Sequence, residues 1–357
     1  MPTRIIDHRE DDLEARFENL QEEIERFSDL TINSEFEDYF STIQNTFGEI
    51  DSRRSDVEAN PHNEALYQRY LSKVISAESD ISDLELVLTH LDLFTHHRDR
   101  WPDRIRHVGE ICEELTDAFG LSVTCFPVIR ESYALLPLLD DDFYVIYVPR
   151  GRNILPTTPI LAHEVAHALL DQRTSRSSEF NQRFSELRRQ MDSERTEQDF
   201  HENWTHWYSE LFCDVAGFFA FGPSYVSAQL HHLLSRNPYL IQRNVGVEDE
   251  TLHPPDELRV AVITDLADEY LPRELQQPLE SIRAEYSQHL QCYEESKRPF
   301  YDEWVDDELV DAVISDAASV NHQLDELCDH IQNESDPSAV PEFEFRLMAN
   351  RYWLDEV

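Results

Sequence analysis

Two histidines and one glutamate stand at a spacing that can build a metal site. The segment His163-Glu164-Val165-Ala166-His167 has the pattern HExxH. On a helix, residues i and i+4 share a face with Cβ atoms about 5–6 Å apart, so both imidazoles can reach one zinc ion at about 2.0–2.1 Å. Glu164 is not needed as a ligand and can act as the general base that takes a proton from the attacking water. The motif predicts metal-dependent hydrolysis on this helix.

A catalytic zinc site needs a third protein ligand, and several residues downstream are candidates. Glu210 lies in a predicted apolar helix, and Asp214 follows one turn later on the same face. Asp214 can accept a hydrogen bond from a ligand histidine and thereby fix its tautomer. His206, His201 and Glu202 are the competing ligands. We predict Glu210, because only this candidate has an aspartate four residues later in an apolar helix, and we expect one zinc ion per chain.

The HExxH pattern leaves two alternatives open. With 16 histidines and abundant acids, chance produces the motif in about one such chain in ten, which would leave a metal-free helical protein. The other alternative is a non-catalytic, zinc-stabilised interaction or regulatory protein whose acidic surface binds a partner. An intact Glu164 favours the enzyme, since a purely structural site has no use for a base.

The arrangement of motifs resembles the gluzincin metallopeptidases, in which an ExxxD helix follows the HExxH helix. The segment His253-Pro254-Pro255, followed by Arg259, is similar to the HP-P…R segment of the CAAX-prenyl and heat-shock membrane protease family. The likeness covers residues 159–260. It implies a zincin-like core, an endopeptidase activity and a peptide or protein substrate.

Some details remain open within this resemblance. His253 can stabilise the charged tetrahedral intermediate, or it can cap a helix and pack beside the zinc. Tyr225 and Tyr239 are further candidates for the stabilising role. The metzincin pattern fails, because Leu170 replaces its glycine and Arg173 its final histidine.

The chain departs from the membrane protease family in two ways. No apolar run approaches the ~20 residues that a membrane-spanning helix needs, so we expect no membrane partner. A very polar segment at 172–200 interrupts the motif region, and Phe180, Phe184, Leu187 and Met191 within it keep helical spacing. We therefore predict an inserted helix there.

Apolar periodicity predicts that most of the chain is helical. Leu13, Phe17, Leu20, Ile24 and Phe27 recur at alternating spacings of four and three, which places them on one stripe that packs within its own domain. The predicted helices cover residues 8–30, 35–48, 64–95, 105–119, 158–171, 201–221, 225–235, 256–270, 273–295 and 303–333. The tail from Asp336 has little pattern.

Three short segments before the HExxH helix have the composition of strands. They are Leu121–Phe126, Tyr133–Leu139 and Phe143–Val148, and Pro137 limits the middle one to an edge. We expect a small antiparallel sheet and a mostly helical α+β fold with a zincin-like core. The resemblance suggests that Phe143–Val148 is an edge strand that binds an extended peptide, while an ordinary sheet strand is the alternative.

The predicted organisation has three parts. Residues 1–100 form a helical N-terminal region, residues 101–270 form the metallopeptidase core with the polar insert at 172–200, and residues 271–357 form a C-terminal helical region and tail.

The charge of the chain predicts its surroundings. Acidic residues number 73 against 30 basic ones, which gives a net charge of -43, and only Lys73 and Lys297 are lysines. Such a charge repels itself at low salt and is screened at molar salt, so we expect a halophile cytoplasm; an acidic face for a basic partner is the alternative. Nucleic-acid binding, which needs a basic patch, is not expected.

Two further observations complete this view. The N-terminus lacks the apolar core of a signal peptide, which fits a cytoplasmic location. The five cysteines are far apart and form no CxxC, so we expect buried free thiols rather than disulfides or a cysteine zinc site.

Overall fold

The protein is mostly helical with one small sheet. We describe it from a computed structural model, and the prediction of a mostly helical chain is confirmed at this level. The described residues are 3–27, 33–60, 62–130, 132–138, 143–150, 155–173, 176–191, 194–234, 253–291, 305–333 and 344–356.

The chain divides into two compact units. The first comprises residues 1–101 with 138–143, and the second comprises residues 102–137 with 144–357. The three-part division of the sequence stays a prediction.

The first unit contains three long helices. Helix α1 covers Thr3–Ile24, α2 covers Asn33–Ala59 and α3 covers Glu64–Arg100. Asn63 caps α3, because its side chain accepts a hydrogen bond from the backbone N–H of Leu66. Helix α3 packs against both α1 and α2.

The apolar stripe of α1 is buried as predicted. It supplies Leu13, Phe17, Leu20 and Ile24, and Phe27 follows in a short 3-10 turn; all five have at most 8% of their surface exposed. The ring of Phe17 contacts Phe40 and Phe47 of α2 at centroid distances of 5.4 and 5.5 Å. Burial of this stripe drives the association of the three helices.

The second unit starts with one helix and three strands and continues with helices. Its elements are α4 (Pro102–Phe119), β1 (Thr124–Arg130), β2 (Ala134–Pro137), β3 (Phe143–Pro149), α5 (Thr158–Asp171), α6 (Ser178–Gln190), α7 (Glu194–Phe221), α8 (Pro223–Leu233), α9 (Asp256–Tyr270), α10 (Arg273–Gln276), α11 (Leu279–Gln291), α12 (Asp307–Ala317), α13 (Leu324–Gln332) and α14 (Glu344–Glu356).

The strand order of the sheet is β1-β3-β2. Strand β2 pairs antiparallel with β3, with Leu135 opposite Ile146, and the sheet as a whole is mixed. The prediction of an antiparallel sheet is therefore wrong for the β1–β3 pair. Strand β3 lies between β1 and β2 and is antiparallel to β2, so in this mixed sheet it runs parallel to β1. Strand composition predicts where strands form but not which of them pair.

The strand order also corrects the predicted substrate edge. Strand β3 is central, and four of its residues from Phe143 to Ile146 are buried in succession, as expected for a strand covered on both faces. It cannot be the edge strand. The segment at Tyr133–Leu139 contains β2, which lies at an edge as Pro137 predicted.

Several helix boundaries differ from the sequence prediction. Helix α7 begins at Glu194, inside the segment predicted to be an insert. The predicted helix at 273–295 is broken at Gln277-Pro278 into α10 and α11, because proline interrupts the backbone hydrogen bonds. The predicted helix at 303–333 is divided by a 3-10 segment at Ala318–Gln323. Helix α14 lies in the tail from Asp336, where the sequence shows little pattern and no helix was predicted.

The core of the second unit is built around α5. This helix packs against α7, α8, α4, α14 and β2. Its side chains from Thr158 to Ala166 are all buried, as expected for a helix that is apolar on every side.

Two sequence expectations concern features outside this core. Four described cysteines are free thiols, of which Cys112, Cys213 and Cys328 are buried, while Cys292 lies outside the described residues. Among the helices that the structure describes, none has an apolar stretch long enough to cross a membrane.

Candidate metal centre

The two histidines of the motif lie one turn apart on α5. Pro159 stands in the first turn of this helix, where a missing backbone N–H costs nothing. The rings of His163 and His167 have centroids 5.1 Å apart and planes at 85°. Because α5 is surrounded by other elements, the direction of both rings is fixed by packing.

Helix α7 brings Glu210 to these rings. Its Oε2 atom lies 3.4 Å from Nε2 of His163, and its Oε1 atom lies 3.8 Å from Nε2 of His167. The three side chains each offer one ligand atom within 4.8 Å of the others, and the group could hold a metal ion. Two ligands of a tetrahedral zinc ion are about 3.3 Å apart when the bonds are about 2.05 Å long, which is close to these separations.

The contacts of the Glu210 carboxylate indicate whether the site suits a cation. Oε2 of Glu210 also lies 3.1 Å from Nδ1 of His253, yet both atoms are buried without a hydrogen-bond partner among the described residues. Imidazole nitrogens and a carboxylate converge here without good hydrogen-bond geometry, and a bound cation would compensate for the cost of burying these polar atoms. The residues therefore fit a metal ion.

The remaining ring nitrogens are held by two other residues of α7. Nδ1 of His163 lies 2.9 Å from Oδ1 of Asp214, as predicted for that aspartate. Nδ1 of His167 lies 3.3 Å from the hydroxyl of Ser209. Each contact occupies Nδ1 and leaves Nε2 facing Glu210, which is how partners of the other nitrogen orient metal-binding histidines.

Asp214 is the most enclosed residue of the site. It has no exposed surface. The Tyr225 hydroxyl donates to Oδ1 at 2.6 Å and the Gln229 amide at 3.2 Å, while Arg259 donates to both oxygens at 2.7 Å. Burial raises the pKa of Asp214, but the charge and hydrogen bonds of Arg259 outweigh it and lower this pKa to about 2. The carboxylate is thus a fixed acceptor for His163.

The two histidines differ in pKa. Burial lowers the pKa of His163, but its hydrogen bond to Asp214 and its contact with the Glu210 carboxylate outweigh that effect and raise the pKa to about 10. Burial and then the charge of His163 lower the pKa of His167 to about 4. Burial also opposes ionisation of Glu210, but its contacts with His163 and His253 hold its pKa well below the usual value.

Glu164 is poised between its two protonation states. Burial raises its pKa, and the charge of Glu210 adds to this, whereas His163, Arg259 and His253 oppose it; the resulting pKa is about 7. A base is most useful when its pKa lies near the operating pH. The environment of Glu164 is therefore suited to proton transfer.

One side of the site is more exposed than the other. The side chains of His167 and His253 are 25% and 32% exposed, whereas those of His163 and Asp214 are 7% and 0% exposed. A ligand or water can therefore approach from the side of His167 and His253.

The competing ligands are not part of the group. Among the residues that the structure describes, the only metal-ligand group near Glu210 is the one with His163 and His167, and it excludes His206, His201 and Glu202. His253 lies beside this group but outside it.

Four residues that hold the site in place were missed or misread from the sequence. Ser209 and Gln229 belong to no sequence motif that would mark them. Tyr225 was a candidate for stabilising the tetrahedral intermediate, but its buried hydroxyl donates to Asp214 instead. Nothing in the sequence around Gly217 indicates that the ring of Tyr225 packs against it. Tyr239 lies outside the described residues.

The function has to be inferred from these side chains. No model of a protein family, no curated protein and no solved structure matches the chain.

Proposed function

We propose that this protein is a zinc-dependent peptidase of the gluzincin type. The observation that carries the proposal is the convergence of His163, His167 and Glu210 on one point, with the buried Glu164 next to His163 on the same helix. Two imidazoles and one carboxylate form the ligand set of known catalytic zinc sites that keep a position open for water.

The charges of the site favour a divalent cation. Three carboxylates, those of Glu164, Glu210 and Asp214, are buried with one guanidinium, that of Arg259. When Glu164 is ionised and the histidines are neutral, as metal ligands must be, two negative charges remain, and a divalent ion neutralises them. Buried charges in proteins are paired or bind metals.

The expected chemistry divides between the metal and the chain. A bound zinc ion supplies a Lewis acid and lowers the pKa of water to about 7. Glu164 then accepts the proton of the attacking water and passes it to the leaving amine. Arg259 and Asp214 hold His163 in orientation throughout, and His253 stabilises the negative charge that develops on the substrate carbonyl oxygen.

The proposed substrate is a peptide in an extended conformation. The edge strand β2 packs against α5, and its residues Ala134, Leu135 and Leu136 are half-buried. An added peptide strand would obtain main-chain hydrogen bonds from this edge. The proposal replaces β3, the strand expected from the sequence, with β2.

The first test separates catalysis from metal binding. Glu164→Gln keeps the size of the side chain and removes the base, so we expect zinc content to stay at one ion per chain while peptide hydrolysis falls at least 100-fold. Glu202→Gln, on the exposed part of α7, is the matched control and should hydrolyse like the wild type. Persistent activity in Glu164→Gln would exclude Glu164 as the base.

A second test concerns the third ligand. Glu210→Ala should lose most bound zinc in equilibrium dialysis followed by elemental analysis, with Glu202→Ala as the control. Both measurements need molar KCl, since the chain carries a charge of -43. Full zinc loading of Glu210→Ala would remove this residue from the site.

Digestion of a peptide library with and without chelator decides between the peptidase and a non-catalytic zinc protein. Structural zinc sites fill all four positions with protein ligands, whereas the group formed by the described residues has three. We expect cleavage that chelator abolishes and added zinc restores. Bound zinc without cleavage of any peptide would favour the non-catalytic role.

A further inference from the structure

Helix α7 contains a glycine in its interior, three residues after Asp214. Glycine is the least favourable residue of a helix interior apart from proline, so Gly217 calls for a packing reason. A Cβ atom built on it would lie 2.3 Å from Cε2 and 2.8 Å from Cζ of Tyr225. The ring of Tyr225 therefore lies directly on the backbone of α7, in the space that any other side chain would fill.

This close approach determines where the Tyr225 hydroxyl lies. The hydroxyl donates to Oδ1 of Asp214 at 2.6 Å, and the same oxygen accepts from Nδ1 of His163 at 2.9 Å. A chain of contacts thus runs from Gly217 through the ring and the carboxylate to a proposed zinc ligand.

The ring has little freedom to move away. Tyr225 is completely buried, and only Gly222 separates α7 from the helix that carries it. Gly222 has φ of +60°, a conformation that favours glycine, and Pro223 begins α8 immediately afterwards. This one-residue connection fixes α8 against α7, so an added methyl group at Gly217 must displace the ring.

We infer that Gly217 and Tyr225 are a positioning pair for His163. The absence of a side chain at Gly217 leaves room for the Tyr225 ring, and the Tyr225 hydroxyl helps to fix the Asp214 carboxylate that orients His163. The consequence for zinc affinity rests on the proposed metal site, whereas the contact between His163 and Asp214 can be measured without zinc.

The main test compares two helix-interior glycines. Gly217→Ala introduces the clash with Tyr225, while Gly109→Ala in α4 adds a Cβ with nothing within 4 Å. We expect Gly217→Ala to weaken zinc binding 10- to 100-fold, the usual loss when a partner of a ligand histidine is disturbed. Gly109→Ala should bind zinc like the wild type in the same chelator competition.

The zinc-free protein supplies a second measurement. The Nδ1–H proton of His163 reports its hydrogen bond to Asp214 and can be observed by NMR. In Gly217→Ala its resonance should shift and its exchange with water should become faster, whereas in Gly109→Ala both should be unchanged. A purely structural role of Gly217 would alter stability without moving this resonance.

Tyr225→Phe tests the hydroxyl alone. It keeps the ring and removes one donor to Asp214, so we expect zinc binding to weaken several-fold and the His163 resonance to shift. The control is Tyr208→Phe on α7, which removes a hydroxyl that donates to Asp316 at 2.7 Å and should leave both readouts unchanged. If Gly217 acts through the hydroxyl, the double variant Gly217→Ala/Tyr225→Phe should bind zinc no more weakly than Gly217→Ala alone.

The outcomes distinguish this inference from the proposed function. Wild-type zinc affinity and an unchanged His163 resonance in Gly217→Ala would overturn the positioning pair while leaving the metal site standing. A wild-type protein that binds no zinc would end the proposed function, and the resonance would still decide the pair. If Gly217→Ala does not fold, Tyr225→Phe decides: an unmoved resonance in this variant refutes the inference.

Discussion

At the scale of single residues, the two histidines of α5 differ in their expected strength as metal ligands, because their Nδ1 atoms contact different side chains of α7. His163 faces the Asp214 carboxylate at 2.9 Å, while His167 faces the Ser209 hydroxyl at 3.3 Å. A carboxylate partner makes an imidazole a stronger donor to a metal than a hydroxyl does. We therefore expect His163 to be the stronger of the two ligands, and His167 to be the one that depends on a weaker contact.

This contact leads to a prediction for Ser209. Ser209→Ala removes the partner of His167, and zinc affinity measured by chelator competition should fall about tenfold. Ser209→Thr keeps a hydroxyl and should retain most of the affinity. Equal zinc affinities for the alanine variant and the wild type would show that Ser209 does not orient His167.

The pairing of Asp214 with Arg259 leads to a second prediction. Both residues are buried, with 0% and 4% of their surface exposed. Asp214→Ala should lower the free energy of unfolding by about 3–5 kcal/mol, because the buried Arg259 charge loses the carboxylate to which it donates two hydrogen bonds and keeps only the longer 3.6 Å contact with Glu210. Urea unfolding in the presence of chelator measures this loss separately from zinc binding.

The double variant is the control for this pair. Asp214→Ala/Arg259→Met removes both charges, and we expect it to be more stable than Asp214→Ala alone. If the double variant is as unstable as the sum of both single changes, the two residues do not act as a pair.

At the scale of elements, α6 is held in place by aromatic packing. The rings of Phe180 and Tyr208 have centroids 4.6 Å apart, and those of Phe184 and Phe200 are 5.5 Å apart. Phe180 and Phe184 are buried. The polar segment at 172–200 therefore contains a helix, as its periodicity predicted. That helix packs on α7 through an edge-to-face contact of Phe180 with Tyr208 and a stacked contact of Phe184 with Phe200.

Helix α6 is also linked to the start of α12. Arg183 donates to both carboxylate oxygens of Asp306 at 3.0 and 2.5 Å, and Asp306 caps α12 by accepting from Leu309 N–H at 3.1 Å. The hydrogen bond from Arg183 lowers the pKa of Asp306 below its ordinary value, against a smaller opposing effect of burial. One carboxylate therefore serves both helices.

This link predicts a pH-dependent stability. Because the pKa of Asp306 is lowered in the folded state, its charge stabilises the fold above about pH 4, and this contribution disappears as the pH falls through the lowered pKa. Asp306→Asn keeps a capping side chain and loses the charge. The difference in free energy of unfolding between wild type and Asp306→Asn should be largest at pH 6 and should become smaller below pH 4.

Asp306→Ala separates the cap from the charge. It should cost about 1 kcal/mol more than Asp306→Asn at pH 6, since alanine cannot cap a helix. A difference between wild type and Asp306→Asn that stays constant from pH 6 to pH 3 would contradict the ion pair with Arg183.

At the scale of the whole molecule, charge dominates the response to solvent. The net charge of -43 comes from acids spread along the entire chain. The Debye length falls from about 10 Å at 0.1 M to about 3 Å at 1 M salt, so repulsion between these acids is strong in dilute buffer and weak in concentrated salt. We propose that the protein is adapted to a high-salt environment.

This proposal predicts that salt stabilises the fold. The free energy of unfolding in urea should rise as KCl increases from 0.1 to 2 M. Near the sequence pI of about 4.5, where net charge is small, the same salt increase should have a much smaller effect. Equal stability at 0.1 and 2 M KCl near pH 7 would refute the adaptation.

The sequence by itself determined the local features of the protein. The HExxH helix was predicted at 158–171 and is found there, because a first-turn proline and a continuous apolar run are properties of consecutive residues. The i to i+4 spacing placed His163 and His167 on one face for the same reason. The ExxxD spacing likewise put Glu210 and Asp214 on one face of α7.

Only the tertiary structure decided which distant residues meet. The Asp214 carboxylate accepts hydrogen bonds from Arg259, 45 residues away in the sequence, and from His163, 51 residues away. The strand order β1-β3-β2 puts β3 at the centre of the sheet. Such contacts depend on how helices and strands pack, and no local period encodes them. Gly217 is the clearest example of a residue that local sequence cannot explain. Within its own helix it is unfavourable, and the ring that requires it belongs to the next helix.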